Sequence, residues 1–375
     1  MKKASFLASA GALAMVLASG QAVADTYSLI NFLGPNHATT RGQQVFADKV
    51  EAATDGRITF EVFPGGSLVP AAASLSGIRD GMATGGYVAG TYTPSDLPLT
   101  NTIADLGWLN PDPLLMAIAS TDYNINNPDL QDEWARHNVV FLAGYASNPY
   151  RLMCREEVVT LDDISGKKIR MPGGAWDRVA TALGATSVNV PSSEMYTGLE
   201  RGSIDCAVNG ADALSSFSLW DVTDTLNMIA FGTYFSGVNV SVNSSFWNDL
   251  SEEDRQILID ESARALVMTQ HFYDEDEHST LAEAEEKPTK IVEPSEDLSE
   301  AVHEFAQADI NTIRTNAQER LGVDDPDTYI DGFNEVVAKW ESLLADVDRT
   351  DTDAVLALVK EEIYSKISPE TYGTR

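Results

Sequence analysis

The residues best suited to chemistry stand in the segment GKKIRMPG at 166–173. The chain carries a formal net charge of -32, so basic side chains are scarce, yet two lysines and Arg170 crowd together here before a proline and two glycines. A guanidinium is a rigid planar fork of N–H donors that matches a carboxylate with two parallel hydrogen bonds. Arg170 therefore has two readings: an ion pair with one of the many Asp and Glu residues, or recognition of an anionic ligand. The Pro172-Gly173-Gly174 turn favours close approach of backbone to a bound molecule, because glycine has no side chain in the way.

Other reactive types lack the spacing their chemistry needs. The histidines at 37, 137, 271, 278 and 303 form no H-E-x-x-H pair, and no G-x-S-x-G elbow for a nucleophilic serine is present. The run Tyr273-Asp274-Glu275-Asp276-Glu277-His278 reads as a solvated helix face rather than a cation site. The acids between Asp324 and Glu335 fail the calcium-loop spacing. The glycines at 85, 86 and 90 lack the lysine of a phosphate loop. No metal and no cofactor is expected, and the chain does not read as an enzyme. Cys154 and Cys206 are the two cysteines, either one disulfide or two small buried hydrophobes.

The elements that must position Arg170 follow from periodicity. Tyr27–Phe32, Arg57–Phe63 and Tyr87–Ala89 read as strands, with helical spacing between them over 43–51 and 71–79. Asn138–Tyr145 is a continuous apolar run, a strand buried on both faces. Strands follow at 150–154, 168–171, 187–190 and 204–208. Trp176, Val179, Ala180 and Leu183 keep helical spacing, and Ser193 is placed to cap a helix over 194–200 that Gly202 ends. From Ser251 onward long helical patterns dominate. Strands alternating with helices give an α/β fold, and the lobes divide near Ser147–Arg151.

The first residues read as a signal peptide. Lys2 and Lys3 supply the positive start, 6–17 the short apolar run, and Ala22-Val23-Ala24 the cleavage site, with cleavage after Ala24. Residues 1–24 would be removed, leaving a periplasmic protein with an even more negative charge. Such a surface repels nucleic acid and anionic membranes. A hydrophobic content of 43% supports a real core.

The ordered pattern LDDISGKKIRMPG (161–173) then LGATSVNVPSSEMYTGLERGSIDCAVNG (183–210) resembles the solute-binding subunits of TRAP transporters, the DctP-like family. GRITFEVFPGGSL (56–68) fits it too. The resemblance implies a two-lobed periplasmic-binding-protein fold with a cleft between the lobes and added C-terminal helices. Lobe I would be mainly 25–150 and lobe II mainly 151–240, with helical additions over 241–375 and the chain crossing between lobes. It implies capture of a small organic acid, a C4-dicarboxylate or similar carboxylate, for delivery to the membrane permease subunits. A sulfonate or other small anion, or a periplasmic sensor role, are the alternatives.

By that resemblance Arg170 pairs with the ligand carboxylate, Asn209 orients a second group, and Arg151 is a second cleft arginine. Tyr92, Asn36 and Trp176 complete the expected ligand site. Family members that hold a keto acid through a metal carry a carboxylate where this chain has Val208. Members that bind sialic acid use acids where this chain has Ala71 and Ala89.

Overall fold

The computed structural model describes residues 25–374. The expected signal peptide lies outside the described residues. The strands, in chain order, are β1 (Asp25–Ile30), β2 (Ile58–Phe63), β3 (Gly85–Gly86), β4 (Val88–Ala89), β5 (Val139–Ala143), β6 (Arg151–Cys154) and β7 (Lys168–Arg170). They continue as β8 (Thr186–Val188), β9 (Cys206–Asn209), β10 (Thr225–Asn227), β11 (Gly237–Val238), β12 (Val240–Asn243) and β13 (Lys290–Val292).

Two sheets make two lobes. The lobe I sheet runs β2-β1-β3-β12-β5, and the lobe II sheet runs β13-β10-β6-β9-β7-β8. In lobe I, β2 and β3 flank β1 in parallel, while β12 is antiparallel to both of its neighbours. In lobe II, β7 is parallel to β8 and β9, and β6 is antiparallel to β9 and β10. Helices cover the faces, as apolar strands such as the fully buried VVFLA of β5 require.

The register of β6 against β9 explains much of lobe II. Cys154 stands opposite Cys206 and is joined to it by a disulfide. Side chains alternate along a strand, so Leu152 and Val208 share the disulfide's face, while Met153 and Ala207 enter a separate apolar cluster on the other. Arg151 and Asn209 end the ladder as a facing pair.

The chain crosses between lobes several times. The helix Glu252–Glu283 is capped by Ser251, whose hydroxyl accepts from the Asp254 N–H, and carries three acids in its first turn. Its first half packs Leu258, Ile259 and Leu266 into the lobe I core. Further along, Tyr273 joins the lobe II core and Thr280 meets Ser215 at 3.1 Å. The helix Glu296–Glu319 also spans both: Leu298 and Val302 pack in lobe II and Ile313 in lobe I.

Three expectations shift. The stretch beyond 241 is not purely helical, because β12 sits inside the lobe I sheet and β13 edges the lobe II sheet. The chain's first pass through lobe II accordingly ends before Gly237, where β11 turns back to pair with β4, and β13 returns to it. Ser193 is not a helix cap: Ser192–Glu194 wind one tight turn after Pro191, and the helix proper starts at Met195 without a side-chain cap. Residues 93–137, unassigned from periodicity, hold three helices, Pro98–Ala104, Pro113–Asn126 and Pro128–Arg136. Each starts on a proline, where the missing N–H costs nothing.

Candidate functional site

Arg170 closes β7 and is 1% exposed. Its Nε donates to the Val190 carbonyl at 3.0 Å, Nη1 to the Val208 carbonyl at 3.3 Å, and Nη2 to the Tyr92 hydroxyl at 3.4 Å. Among the described residues no carboxylate lies within ion-pair distance of it. A buried guanidinium held only by neutral oxygens is costly, and an anion beside it removes that cost. The ion-pair reading of Arg170 therefore finds no partner among the described residues.

The guanidinium faces a small cavity between the lobes, about 30 Å³ in volume. Lobe I contributes Leu33, His37, Tyr87 and Tyr92. Lobe II contributes Arg170, Pro172, Ser192, Asn209 and Phe217. The crossing segments and the long helix add Tyr145, Ser147, Tyr150, Tyr234 and Tyr273. At its edge the lobes touch closely. Gly173 has φ 101°, and a Cβ there would meet the Thr91 methyl at 2.8 Å, so both conformation and space demand glycine.

The polar lining has defined roles. Tyr92 Oη accepts from Arg170 and from the Ser192 N–H at 3.1 Å, tying lobe I to lobe II. His37 caps the helix Ala38–Ala53, its Nδ1 accepting the Thr39 N–H, which places the ring proton on Nε2. Burial, then the charge of Arg41, pushes its pKa down to about 3, so the ring is neutral. Tyr87 donates to Tyr145, which donates to the Ser236 carbonyl, and Thr91 holds the Tyr234 hydroxyl at 2.6 Å. The Tyr150 and Tyr273 hydroxyls have no hydrogen-bond partner among the described residues. Burial holds both phenols protonated, so both are free to donate. Asn209 Oδ1 accepts from the Gly210 N–H at 2.8 Å, and its amide nitrogen makes only a long contact with Met195 sulfur.

Of the residues picked out from sequence, Arg170, Asn209 and Tyr92 meet at this cavity. The others do not line it. Arg151 turns away to the Met228 carbonyl at 2.8 Å. Trp176 packs its ring 4.8 Å from Tyr150 and sits in the lobe II core. Asn36 is exposed in the turn before His37. The five further tyrosines, Ser147 and Phe217 were missed. A local signal existed for two of them: Tyr150 and Tyr234 stand in the short polar-aromatic stretches that link the lobes, and their rings stack at 5.9 Å.

A second, half-buried arginine lies close by. Arg178, on the helix Gly174–Ala182, donates to both oxygens of Asp309 (2.8 and 2.7 Å) and to Asp105 at 3.0 Å. Asp105 also accepts the Ala175 N–H from across the cleft, and Trp108 donates to Asp309 at 3.3 Å.

The family model for bacterial extracellular solute-binding protein family 7, DctP, matches residues 31–316. The chain belongs to this family. It is 24% identical over 286 residues to a monocarboxylate 2-oxoacid-binding periplasmic protein of Nostoc, covering 71% of this chain and 72% of that one. It is 27% identical over 226 residues to a C4-dicarboxylate-binding protein of Bacillus subtilis, covering 57% and 60%. Its fold matches a marine-metagenome TRAP solute-binding protein in complex with 3-hydroxybenzoate, with TM-score 0.75 and 20% identity over 85% of this chain and 99% of that one. DctP-family proteins are extracytoplasmic transport receptors rather than enzymes. Among the described residues, no helix is long and apolar enough to cross a membrane, and no cluster of three metal-ligating side chains occurs.

Proposed function

We propose that this DctP-family protein is the extracytoplasmic receptor of a TRAP transporter for a small organic acid. Arg170 grips the acid's carboxylate, and the receptor passes its cargo to the membrane permease. The observation that carries this reading is a guanidinium 1% exposed with three neutral acceptors and no carboxylate. The ligand completes the contacts between the lobes, so binding favours the closed arrangement by whatever it gains there and not in the open one. Tyr92, bridging Arg170 and Ser192, would report that closure first. Asn209 and the free Tyr150 and Tyr273 hydroxyls orient the rest of the acid. The C4-dicarboxylate expected from resemblance needs a counter-charge for its second carboxylate, and the lining offers a single cation. Export with cleavage after Ala24 belongs to the same reading, and intact mass of the mature protein checks it.

The test is titration calorimetry of a panel of small acids against the wild type and Arg170→Met. Micromolar binding corresponds to about -8 kcal/mol. Leaving one buried charge without its partner costs about 3–5 kcal/mol. The expected loss is therefore roughly two to three decades of affinity. Acids that bind the variant as tightly as the wild type would sink the proposal.

A further inference from the structure

We infer that the cavity selects acids carrying one negative charge, bound by a single carboxylate at Arg170, and rejects dicarboxylates. The inference rests on the reading of this cavity as the solute site and narrows its substrate class.

The cations around the cavity are accounted for one by one. Arg170 is the single charged donor among the lining residues. His37 spends Nδ1 on the Thr39 N–H and so offers one neutral N–H. Arg41, one turn along the same helix, pairs with Asp276 at 2.7 Å and lies over the Phe272 ring at 4.3 Å. Arg151 is turned to the Met228 carbonyl. Among the described residues no second cation is placed to meet a second carboxylate.

The charge beyond the lining has the wrong sign for one. Asp212 follows Asn209 in the turn after β9 and is 3% exposed. Its carboxylate folds back over Gly210, with Oδ1 2.2 Å from where a Cβ on that glycine would sit. Asn148 donates to it at a long 3.4 Å. Glu277 and then Asp276, on the helix Glu252–Glu283, add negative charge around it, offset in part by Arg41 on Asp276 and by Arg151 near Glu277. Of the two lining residues with free hydroxyls, Tyr273 feels Asp212 first among charges, while Tyr150 feels Arg170 first and Asp212 less. The far end of a bound acid thus meets neutral donors in a negative field. An amide, hydroxyl, carbonyl or aromatic end is satisfied there. A carboxylate would be buried beside like charge without a counter-ion.

Matched pairs that differ in one carboxylate test this: succinate against succinamate, and benzene-1,3-dicarboxylate against 3-carbamoylbenzoate, with lactate and mandelate as further monoacids. Calorimetry on the wild type at pH 8, where Asp212 is charged, should give the monoanion at least tenfold tighter in each pair that binds. Asp212→Asn, checked for folding by its melting curve, should narrow that ratio at least threefold. A dicarboxylate binding as tightly as its amide overturns the inference; if its binding is also lost in Arg170→Met, the receptor reading stands. If no acid in the set binds, or Arg170→Met binds them unchanged, the receptor reading itself falls. The wild-type pairs decide the charge rule even if Asp212→Asn does not fold.

Discussion

Arg170 and Arg178 belong to one short stretch of lobe II, and both are largely shielded from solvent, but their surroundings are opposite. Arg178 meets two carboxylates, with side-chain exposures of 13% for itself, 12% for Asp105 and 1% for Asp309. Arg170 meets two carbonyls and a phenol. The first arrangement is complete within the chain: one cation and two acids, with Trp108 and the Ala175 N–H taking further lone pairs. The second leaves a full positive charge facing a cavity. Burial alone therefore does not mark a binding arginine. The difference lies in whether the fold supplies the counter-charge, and a solute receptor must withhold it where the solute is to sit.

Paired substitutions break this comparison most directly. Arg178→Met strands Asp309 and Asp105 in the interior, so it should cost about 3–5 kcal/mol of stability, read in a denaturant melt. Ligand affinity measured well below its melting point should move much less. Arg170→Met removes a charge that had no partner, so the ligand-free melt should shift little while affinity falls by the two to three decades argued above. If Arg178→Met instead abolishes binding with its stability intact, the two arginines have been assigned the wrong way round.

The disulfide sharpens the same contrast, because it belongs to the framework behind the site rather than to the site. Cys154 and Cys206 close a loop with a sequence separation of 52 and pin β6 to β9, whose last residue, Asn209, lines the cavity. Replacing both cysteines by alanine should cost about 2–4 kcal/mol. At temperatures where the variant stays folded, acid affinity should change less than about fivefold, which is within roughly 1 kcal/mol. A larger loss would mean that the position of Asn209 depends on the bridge.

Much of this was legible in the chain because the information is local. Arg170 lies inside a stretch of strand, turn and helix whose glycines and proline announce themselves, and Gly202 ends its helix in the left-handed conformation as expected. The alternation of strands and helices in 25–90 and 150–210 gave the α/β fold. The helices over 98–136 escaped periodicity, since the middle one is buried almost all round. Their prolines at the first position were the available signal. The cavity was harder. His37 and Asn36 are neighbours, and only the cap geometry decides that the histidine turns inward. The missed tyrosines come from four separate segments, each unremarkable alone. Arg151 faces Asn209 in register, yet its length carries its head past the cavity to Met228. Nothing near Arg178 in sequence announces Asp105 or Asp309.

The mildest effect concerns Asp212, a buried acid with no ion pair among the described residues. Burial first, then the charges of Glu277 and Asp276, raises its pKa to about 7. An unfolded Asp titrates near 3.9. Between about pH 4 and pH 7 the folded chain therefore holds a proton that the unfolded chain has released, and stability falls as pH rises through that window. Above pH 7 the carboxylate is charged in both states and its burial cost is fully present. Asparagine cannot ionise, so Asp212→Asn should match the wild type near pH 5 and exceed it by about 2–3 kcal/mol at pH 8, in parallel melts. A pH-independent difference for Asp212→Asn would mean that the acid is compensated after all, and the negative field at the far end of the cavity would lose its source.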